Sequence, residues 1–385
     1  MKIYGYGRQS ISQEDIDAVV EVLKSDFLNN GPKIEEFEEK ICEYTGAGYC
    51  VALSSATAAL HLMMHALNLS EKDEVITCPV TFLASANCVR YVNASVNFAD
   101  ADIETGNISI DEIRKKVTPM TKAVIPIHFA GQSCDVKAFS ELREKGICVI
   151  EDAAHALGSD YEDAKVGSCK YSDAAVFSFH PVKNITTGEG GAITTNDREL
   201  AQRLKRLRSH GMNRNPAEFV NESDGKWYYE MQELGYNYRM TEMQAALGIS
   251  QLKRIEQFKQ KRRYIVEKYK EIFAGDDRIS FLTEKKFSNA CWHICPLLID
   301  FEKLGIDKKK FFNDLCDAGI HPAVQYIPVH LHPYYQNLNF KKGEYPTAEK
   351  YYAQTVSLPL YYDLSDDDVE YIGEKFLKVL NNQGQ

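Results

Sequence analysis

Apolar and polar residues follow one another along this chain in a pattern that predicts a layered arrangement of helices and strands. The first periodic segment covers residues 12–27, where Ser12 and the acidic Asp15 three residues later can cap a helix start. Its apolar residues recur at helical spacing and form one face, at positions Ile16, Val19, Val20 and Leu23. We therefore expect a helix over residues 12–27.

From residue 49 onward, short apolar runs alternate with helical stretches. The predicted strands cover residues 50–53, 74–78, 96–99, 123–128, 147–151, 174–179 and 191–195, and helices are predicted over residues 57–69 and 82–91. Such alternation is typical of βαβ units, and it predicts an α/β fold with a mostly parallel central sheet. In open sheets of this kind, ligands bind beyond the carboxyl ends of the strands.

The pattern changes again in the second half of the chain. Residues 214–230 are polar and then aromatic, which indicates a long surface loop, and residues 241–272 read as one long helix. A strand over residues 292–299 and helices over residues 308–318 and 366–380 predict a smaller α+β domain. We place the domain boundary between a large N-terminal domain, residues 1–240, and a small C-terminal domain, residues 241–385.

Composition narrows the class of protein. The 385 residues carry a net charge of −10, which argues against nucleic acid or an anionic membrane surface as the main partner. No apolar run approaches the roughly 20 residues of a membrane helix, and the start of the chain lacks the apolar core of a signal peptide. The ten cysteines contain no CxxC pair, so we expect reduced, mostly buried thiols in a cytoplasmic protein.

Candidate chemistry is concentrated at predicted strand ends. Residues 177–191 read FSFHPVKNITTGEGG, so that Lys183 follows a strand and precedes a glycine-rich turn. A lysine that forms a Schiff base needs such a setting, where its amine is partly desolvated and able to move between base and nucleophile. The alternative for Lys183 is a solvated surface lysine beside a turn.

A second group follows the strand over residues 147–151. Asp152 is placed to keep the pyridine nitrogen of a cofactor protonated, although a strand-end acid is often only structural. His155 could donate a hydrogen bond to Asp152, pack near a cofactor ring, or be a satisfied core histidine.

Two further strand ends carry polar or aromatic residues. Residues 54–57 (SSAT) precede a predicted helix, and a helix N-terminus can bind phosphate, although a plain N-cap is the commoner reading. Ser178 adds a hydroxyl near this region. Phe82 could stack on a flat ring or belong to the core.

Together these blocks have the order and spacing of one family. The chain resembles the DegT/DnrJ/EryC1/StrS group of pyridoxal 5′-phosphate (PLP) dependent sugar aminotransferases, which have the PLP-dependent transferase fold type I. Residues 177–191, 152–155 (DAAH) and 235–246 (GYNYRMTEMQAA) carry the resemblance. The first of these blocks is most similar to the branch of UDP-4-amino-4,6-dideoxy-N-acetyl-β-L-altrosamine transaminases of pseudaminic-acid biosynthesis.

The resemblance implies roles for individual residues. Lys183 would be the catalytic residue that binds PLP covalently, and Asp152 would pair with the ring nitrogen. Other cofactor-binding residues would be Ala56, Thr57, Phe82, His155, Ser178 and, from the partner subunit of a homodimer with shared active sites, Asn237. Ala56 stands where many relatives have glycine. Substrate-binding positions would be Tyr6, Asp26, Phe27, Leu28, Asn29, Arg239, Gln325 and Tyr326.

The implied reaction moves an amino group from L-glutamate to C4 of a UDP-linked 4-keto sugar. Another 4-keto or 3-keto nucleotide sugar is the alternative substrate. A dehydratase on the same fold would replace Lys183 with histidine, and a regulatory protein on this fold would lose Lys183 or Asp152. We also considered zinc at His330 and His332, or at residues 291–295 (CWHIC), but found no matching second ligand pair and predict no metal site.

Overall fold

The structure is a computed structural model that describes residues 2–384. Its strands are β1 Tyr4–Gly5, β2 Tyr49–Leu53, β3 Glu74–Thr77, β4 Ser95–Phe98, β5 Thr121–Ile125, β6 Cys148–Asp152, β7 Asp160–Tyr161, β8 Ala164–Lys165, β9 Ala174–Ser178, β10 Gly191–Thr195, β11 Met212–Asn213, β12 Glu230–Met231, β13 Ile279–Phe281, β14 Ser288–Asn289, β15 Cys295–Ile299, β16 Ile320–His321 and β17 Thr355–Leu358. All seven strands predicted between residues 50 and 195 are present, within three residues of their predicted ends.

The α-helices surround these strands. They are α1 Gln13–Leu23, α2 Pro32–Thr45, α3 Ala56–Ala66, α4 Ala84–Tyr91, α5 Ile110–Lys116, α6 Ser140–Glu144, α7 Arg198–Leu207, α8 Glu242–Leu252, α9 Ile255–Ile272, α10 Phe301–Leu304, α11 Lys308–Asp317, α12 Pro333–Gln336, α13 Pro346–Gln354 and α14 Asp366–Asn381. Among residues 2–384, no helix is long and apolar enough to cross a membrane.

The central sheet has seven strands in the order β2-β10-β9-β6-β5-β3-β4. β10 runs antiparallel to both of its neighbours, and the other pairs are parallel, so six strands point the same way. The predicted mostly parallel α/β sheet is therefore confirmed. Parallel strands bring their carboxyl ends to one edge, and this edge positions the site described below.

A separate three-stranded antiparallel sheet, β13-β15-β17, forms from the second half of the chain. The predicted strand over residues 292–299 is thus present as β15, three residues shorter at its start. This sheet packs with α9 and α14 in a continuous apolar cluster. The division at residue 240 stays a prediction.

The predicted helix over residues 241–272 is wrong as a single element. The structure divides it into α8 and α9, which are separated by Lys253 and Arg254. Thr241 caps α8 through a capping box with Gln244, so the predicted start is correct. The predicted loop over residues 214–230 is exposed and lies between the paired strands β11 and β12.

The first helix ends at Leu23, four residues before its predicted end, and Ser12 and Asp15 form its capping box. Its apolar residues Ile16, Val20 and Leu23 are exposed on this chain, while Asp15 is buried. Asp15 is held there because its carboxylate accepts hydrogen bonds from Gln251 and Arg254. The apolar face of α1 therefore points away from the chain's own core.

Candidate active site

A cavity of about 440 Å³ lies at the carboxyl ends of β6 and β9, within the volume range of pockets for small molecules. β6 and β9 are adjacent parallel strands, with Asp152 and Ser178 as their last residues. The structure brings ten of the predicted residues together as its lining: Tyr6, Ala56, Thr57, Phe82, Asp152, His155, Ser178, Lys183, Gln325 and Tyr326.

The other six predicted residues do not line the cavity of this chain. Asp26, Phe27, Leu28 and Asn29 are exposed in the segment between α1 and α2. Asn237 is exposed and Arg239 is half-buried, both just before α8. Within one chain, these positions form part of a different surface.

Lys183 lies in the turn after β9, where its backbone N–H donates to His180 O at 2.9 Å. Thr187 N in turn donates to Phe179 O at 3.0 Å, which closes the turn back onto the strand end. Part of the Lys183 side chain is exposed, but burial around the amine lowers its pKa to about 8, against the opposing effect of Asp152. A larger fraction of the amine is therefore unprotonated and nucleophilic near neutral pH than for an ordinary lysine.

Asp152 is buried at the end of β6, and both of its carboxylate oxygens are held. Ser85 Oγ donates to Oδ2 at 2.6 Å, and Ala154 N donates to Oδ1 at 3.1 Å. Thr81 Oγ1 lies 2.9 Å from Ser85 Oγ and extends this chain of hydroxyl groups. The carboxylate is thereby oriented into the cavity as a fixed acceptor for a protonated ring nitrogen.

His155 bonds to Tyr326 and not to Asp152, which corrects one of the options stated for it. Its Nε2 lies 3.0 Å from the Tyr326 hydroxyl, and its ring centroid lies 4.4 Å from that of His293. Burial, with a smaller effect from Lys183, lowers the pKa of both histidines well below its usual value. Two neutral imidazoles therefore lie beside the amine of Lys183.

The start of α3 forms the part of the cavity suited to an anion. Ser55 is the N-cap, and its hydroxyl accepts the N–H of Ala58 at 3.1 Å. The backbone N–H groups of Ala56 and Thr57 have no intrahelical acceptor, because they belong to the first turn. With Ser178 on the same lining, these groups and the helix dipole can hold a phosphate.

The residues present fit PLP, the cofactor implied by the resemblance. An amine of lowered pKa, a fixed carboxylate and a helix N-terminus lie on one cavity, and they match the aldehyde, ring nitrogen and phosphate of the cofactor. Phe82 is 58% exposed at the wall of this cavity, where its ring is free to stack on another. The buried Oε1 of Gln325 has no partner within the described chain.

Several lining residues were not predicted from the sequence: Ser85, His180, Glu189 and His293. His180 and Glu189 lie inside the block that contains Lys183, and nearness to that lysine was the available signal. Ser85 follows Phe82 by three residues, on the first turn of α4, so helical spacing pointed to it. His293 lies far along the chain and had no local signal for this role.

The histidine pair considered for zinc is arranged differently from the prediction. His330 lies on a one-turn 3₁₀ helix, Val329–Leu331, and not on a strand. Its Nε2 lies 3.0 Å from Glu349 Oε1, which satisfies that nitrogen within the fold. The strand geometry on which the idea rested is therefore wrong.

A second, more open cleft of about 570 Å³ lies elsewhere and contains none of the predicted residues. Its arginines are occupied within the chain. Arg203 donates to Glu233, Ala66 O and Asn68 Oδ1, and Arg143 pairs with Asp173. The chemistry therefore belongs to the smaller cavity.

Comparison with known proteins gives a consistent result over nearly the whole chain. The model of the DegT/DnrJ/EryC1/StrS aminotransferase family matches residues 9–377. The chain is 41% identical over 368 residues to spore coat polysaccharide biosynthesis protein SpsC of Bacillus subtilis, covering 95% of this chain and 94% of that protein.

Two further similarities concern amino sugars. The chain is 36% identical over 379 residues to a UDP-4-amino-4,6-dideoxy-N-acetyl-β-L-altrosamine transaminase of Campylobacter jejuni, covering 97% of each protein. It is also similar to the solved structure of Helicobacter pylori PseC, an aminotransferase involved in the biosynthesis of pseudaminic acid. That match has a TM-score of 0.91 at 34% identity and covers 99% of this chain and 100% of that chain.

Proposed function

The chain belongs to the DegT/DnrJ/EryC1/StrS aminotransferase family, and from this premise we propose that it transfers the amino group of L-glutamate to C4 of a UDP-linked 4-keto-6-deoxy-N-acetylhexosamine. It is a PLP-dependent sugar aminotransferase with the predicted transferase fold. The observation that carries the proposal is the single cavity in which the Lys183 amine, the Asp152 carboxylate and the start of α3 meet.

The pathway we propose is pseudaminic-acid biosynthesis. It is supported by the names of the Campylobacter and Helicobacter relatives, which concern this sugar. Another 4-keto or 3-keto nucleotide sugar is the alternative substrate, because the relative from Bacillus is similar to a greater degree and its name specifies only a spore coat polysaccharide. A dehydratase or a regulatory protein is disfavoured by the presence of both Lys183 and Asp152 in the cavity.

When bound, PLP supplies an aldehyde that takes up the amino group and a protonated ring that accepts electrons. Lys183 Nζ holds the cofactor before each half-reaction. Once displaced by glutamate, the same nitrogen accepts the proton from the substrate carbon, and in the sugar half-reaction it returns a proton. Its lowered pKa suits both directions of transfer near neutral pH.

Asp152 holds a negative charge opposite the ring nitrogen, and Ser85 fixes the carboxylate that does so. Ala56, Thr57 and Ser178 hold the phosphate, and Phe82 covers the ring. Tyr6, Gln325 and Tyr326 line the same cavity, and we assign them to the sugar. The Tyr326 hydroxyl is oriented by His155.

We further propose that the enzyme is a homodimer in which each chain completes the partner's site. Glu242 fastens two of the outlying segments together. Its carboxylate accepts the N–H groups of Gly31 and Lys33 at 2.9 and 2.7 Å, and its own N–H donates to Leu28 O at 3.2 Å. The segment with Asp26–Asn29 and the segment with Asn237 and Arg239 therefore belong to one surface, which suits a shared wall.

The substrate proposal is tested by incubating the purified chain with PLP, L-glutamate and a panel of 4-keto and 3-keto nucleotide sugars. We expect 2-oxoglutarate and a UDP-linked 4-amino-4,6-dideoxy-N-acetylhexosamine, identified by mass and by NMR. Lys183→Ala provides the inactive control. A product aminated at C3, or a dehydrated sugar without nitrogen, would contradict the proposal. We expect the enzyme to act in the cytoplasm, where nucleotide sugars are available.

A further inference from the structure

Asn184, the residue after Lys183, connects three separate backbone segments. Its side-chain Nδ2 donates to His155 O at 3.2 Å, to Leu157 O at 2.8 Å and to Cys291 O at 3.2 Å. An amide nitrogen carries two hydrogens, so the three carbonyls share them. Asn184 is buried, and these bonds tie the backbone next to Lys183 to the segments that carry His155 and His293.

Arg262 holds the second of those segments from another side. Its Nη1 donates to Trp292 O, His293 O and Leu360 O at 3.1–3.2 Å, and its side chain is buried. Burying a guanidinium is costly unless its hydrogens are used, so this arrangement specifies the position of residues 292–293. His293 N completes the attachment by donating to Ala130 O at 2.8 Å.

The carbonyls that Asn184 binds are also closely packed. Gly131, at φ +99°, faces them directly, and a Cβ at that position would lie 2.3 Å from Cys291 O and 3.1 Å from His155 O. The space around these two carbonyls therefore admits only a glycine. The segments that Asn184 joins have little freedom to shift relative to each other.

The position of these segments matters to Lys183 because they present the two neutral imidazoles. The His155 and His293 rings lie 4.4 Å apart and line the cavity together with the lysine. Burial is the main cause of the lowered pKa of all three groups. The titratable groups that line the cavity with Lys183 are Tyr6, Asp152, His155, His180, Glu189, His293 and Tyr326.

We propose that Asn184 is a positioning residue for Lys183: its amide fixes the lysine backbone to the segments of His155 and His293 and so keeps the amine in a dry, fixed position beside the two imidazoles. This inference rests on the proposed role of Lys183. A purely structural amide would contribute stability by satisfying buried carbonyls but would leave the titration of the site unchanged.

The test compares Asn184→Ala and Asn184→Ser with a matched control, Asn196→Ala. The amide of Asn196 also bridges backbone carbonyls, donating to Ser168 O and Cys169 O at 3.0 Å each, but it lies outside the cavity. Each full-length variant is loaded with PLP, and its near-visible absorbance is titrated against pH. Turnover number and KM for glutamate are measured in parallel.

We expect the midpoint of the titration to rise on the order of one pH unit in Asn184→Ala, because loosening admits water and burial is what lowers the pKa. The turnover number should fall about tenfold or more with KM little changed, since small misplacements of a reacting group cost up to about 100-fold. Asn184→Ser, which keeps one donor, should show a smaller shift. Asn196→Ala should titrate like the wild type.

The outcomes separate the two ideas. A Lys183→Ala variant that keeps the wild-type absorption band would contradict the role of Lys183 itself. If that band depends on Lys183 but folded Asn184→Ser and Asn184→Ala titrate at the wild-type midpoint and lose only thermal stability, the positioning role is overturned. Should the alanine variant fail to fold, the serine variant decides by the same criterion.

Discussion

At Lys183, burial lowers the pKa and the nearby Asp152 carboxylate raises it, and burial dominates. The amine is therefore charged below about pH 8 and neutral above it, whereas an ordinary lysine stays charged to about pH 10.4. Only the neutral amine attacks a carbonyl. This difference determines the pH range in which the residue can work.

We predict that covalent attachment of PLP to the cofactor-free protein accelerates as pH rises and levels off above about pH 8. The rate of appearance of the near-visible band measures this attachment. Lys183→Ala should lose the band at every pH. A rate that keeps rising to pH 10 would show that the amine is not desolvated as the structure indicates.

Asp152 is the second residue whose role can be isolated. We predict that Asp152→Asn and Asp152→Ala lower the turnover number by about 100-fold or more, because losing one preorganised electrostatic partner typically costs that much. Thermal stability should change far less. Steady-state kinetics and thermal melts of the same preparations provide the measurement.

Asp173 offers a matched control for Asp152. Its carboxylate also accepts a backbone N–H, that of Val149 at 2.8 Å, but it lies outside the cavity. Asp173→Asn should therefore lower stability without affecting turnover. Near-normal turnover in both Asp152 variants would rule out the ring-nitrogen role.

At the level of elements, the close contact of β10 with the start of α3 shapes the anion site. Gly191 opens β10, and a Cβ there would lie 2.4 Å from Ala56 N and 2.5–2.6 Å from the carbonyl of Ser55. These neighbours are backbone atoms, so they cannot move aside as a flexible side chain would. The helix start and the strand must separate to admit any side chain at residue 191.

We predict that Gly191→Ala displaces the first turn of α3 and weakens PLP binding by about tenfold or more, because overpacking of this kind costs about 1–3 kcal/mol. The dissociation constant for PLP, from fluorescence or calorimetry, measures the effect. Gly48→Ala is the control, since its added Cβ would lie no closer than 3.4 Å to any neighbour. Equal affinities in the two variants would contradict the proposed phosphate position.

The elements also show how far sequence patterns predict this fold. Strand ends and turns place Lys183, Asp152 and the start of α3 correctly, because local patterns determine where parallel strands finish. The division between α8 and α9 was missed, since neither Lys253 nor Arg254 is a helix breaker. His293 was missed as a site residue because only tertiary packing brings it to Lys183.

The first helix shows a further limit of periodicity. Its apolar stripe is a correct prediction of amphipathicity, but periodicity does not specify which surface covers the stripe. In this chain the buried position is Asp15, which pairs with Arg254, while Ile16, Val20 and Leu23 remain exposed. The covering surface lies outside the single chain's core.

At the scale of the whole molecule, one chain contains an incomplete set of charges for its proposed substrates. The described residues that line the cavity include no arginine, and Lys183 is the only lysine among them. Glutamate and a UDP-sugar are both anionic, and charge-assisted bonds from arginine are the usual means of holding such groups. Arg239 and Asn237 lie outside the cavity on the same chain, so a second copy is the natural source of the missing contacts.

This arrangement leads to a prediction about mixed dimers. Lys183→Ala and Asn237→Ala should each have little activity alone, because the first loses the amine and the second loses a contact to the phosphate of the partner's cofactor. In a hybrid dimer, the two defects fall in the same site if the sites are shared. The other site then contains an intact Lys183 and an intact Asn237, so mixing should restore up to about one half of the wild-type activity per hybrid dimer, a ratio that follows from one working site in two. Subunit exchange is followed with differently tagged chains, and Asn196→Ala mixed with Lys183→Ala shows what exchange does without a shared-site defect. If exchange is complete and activity does not return, Asn237 acts within its own chain, and the shared wall formed by the segments at Asp26–Asn29 and Asn237–Arg239 must be abandoned.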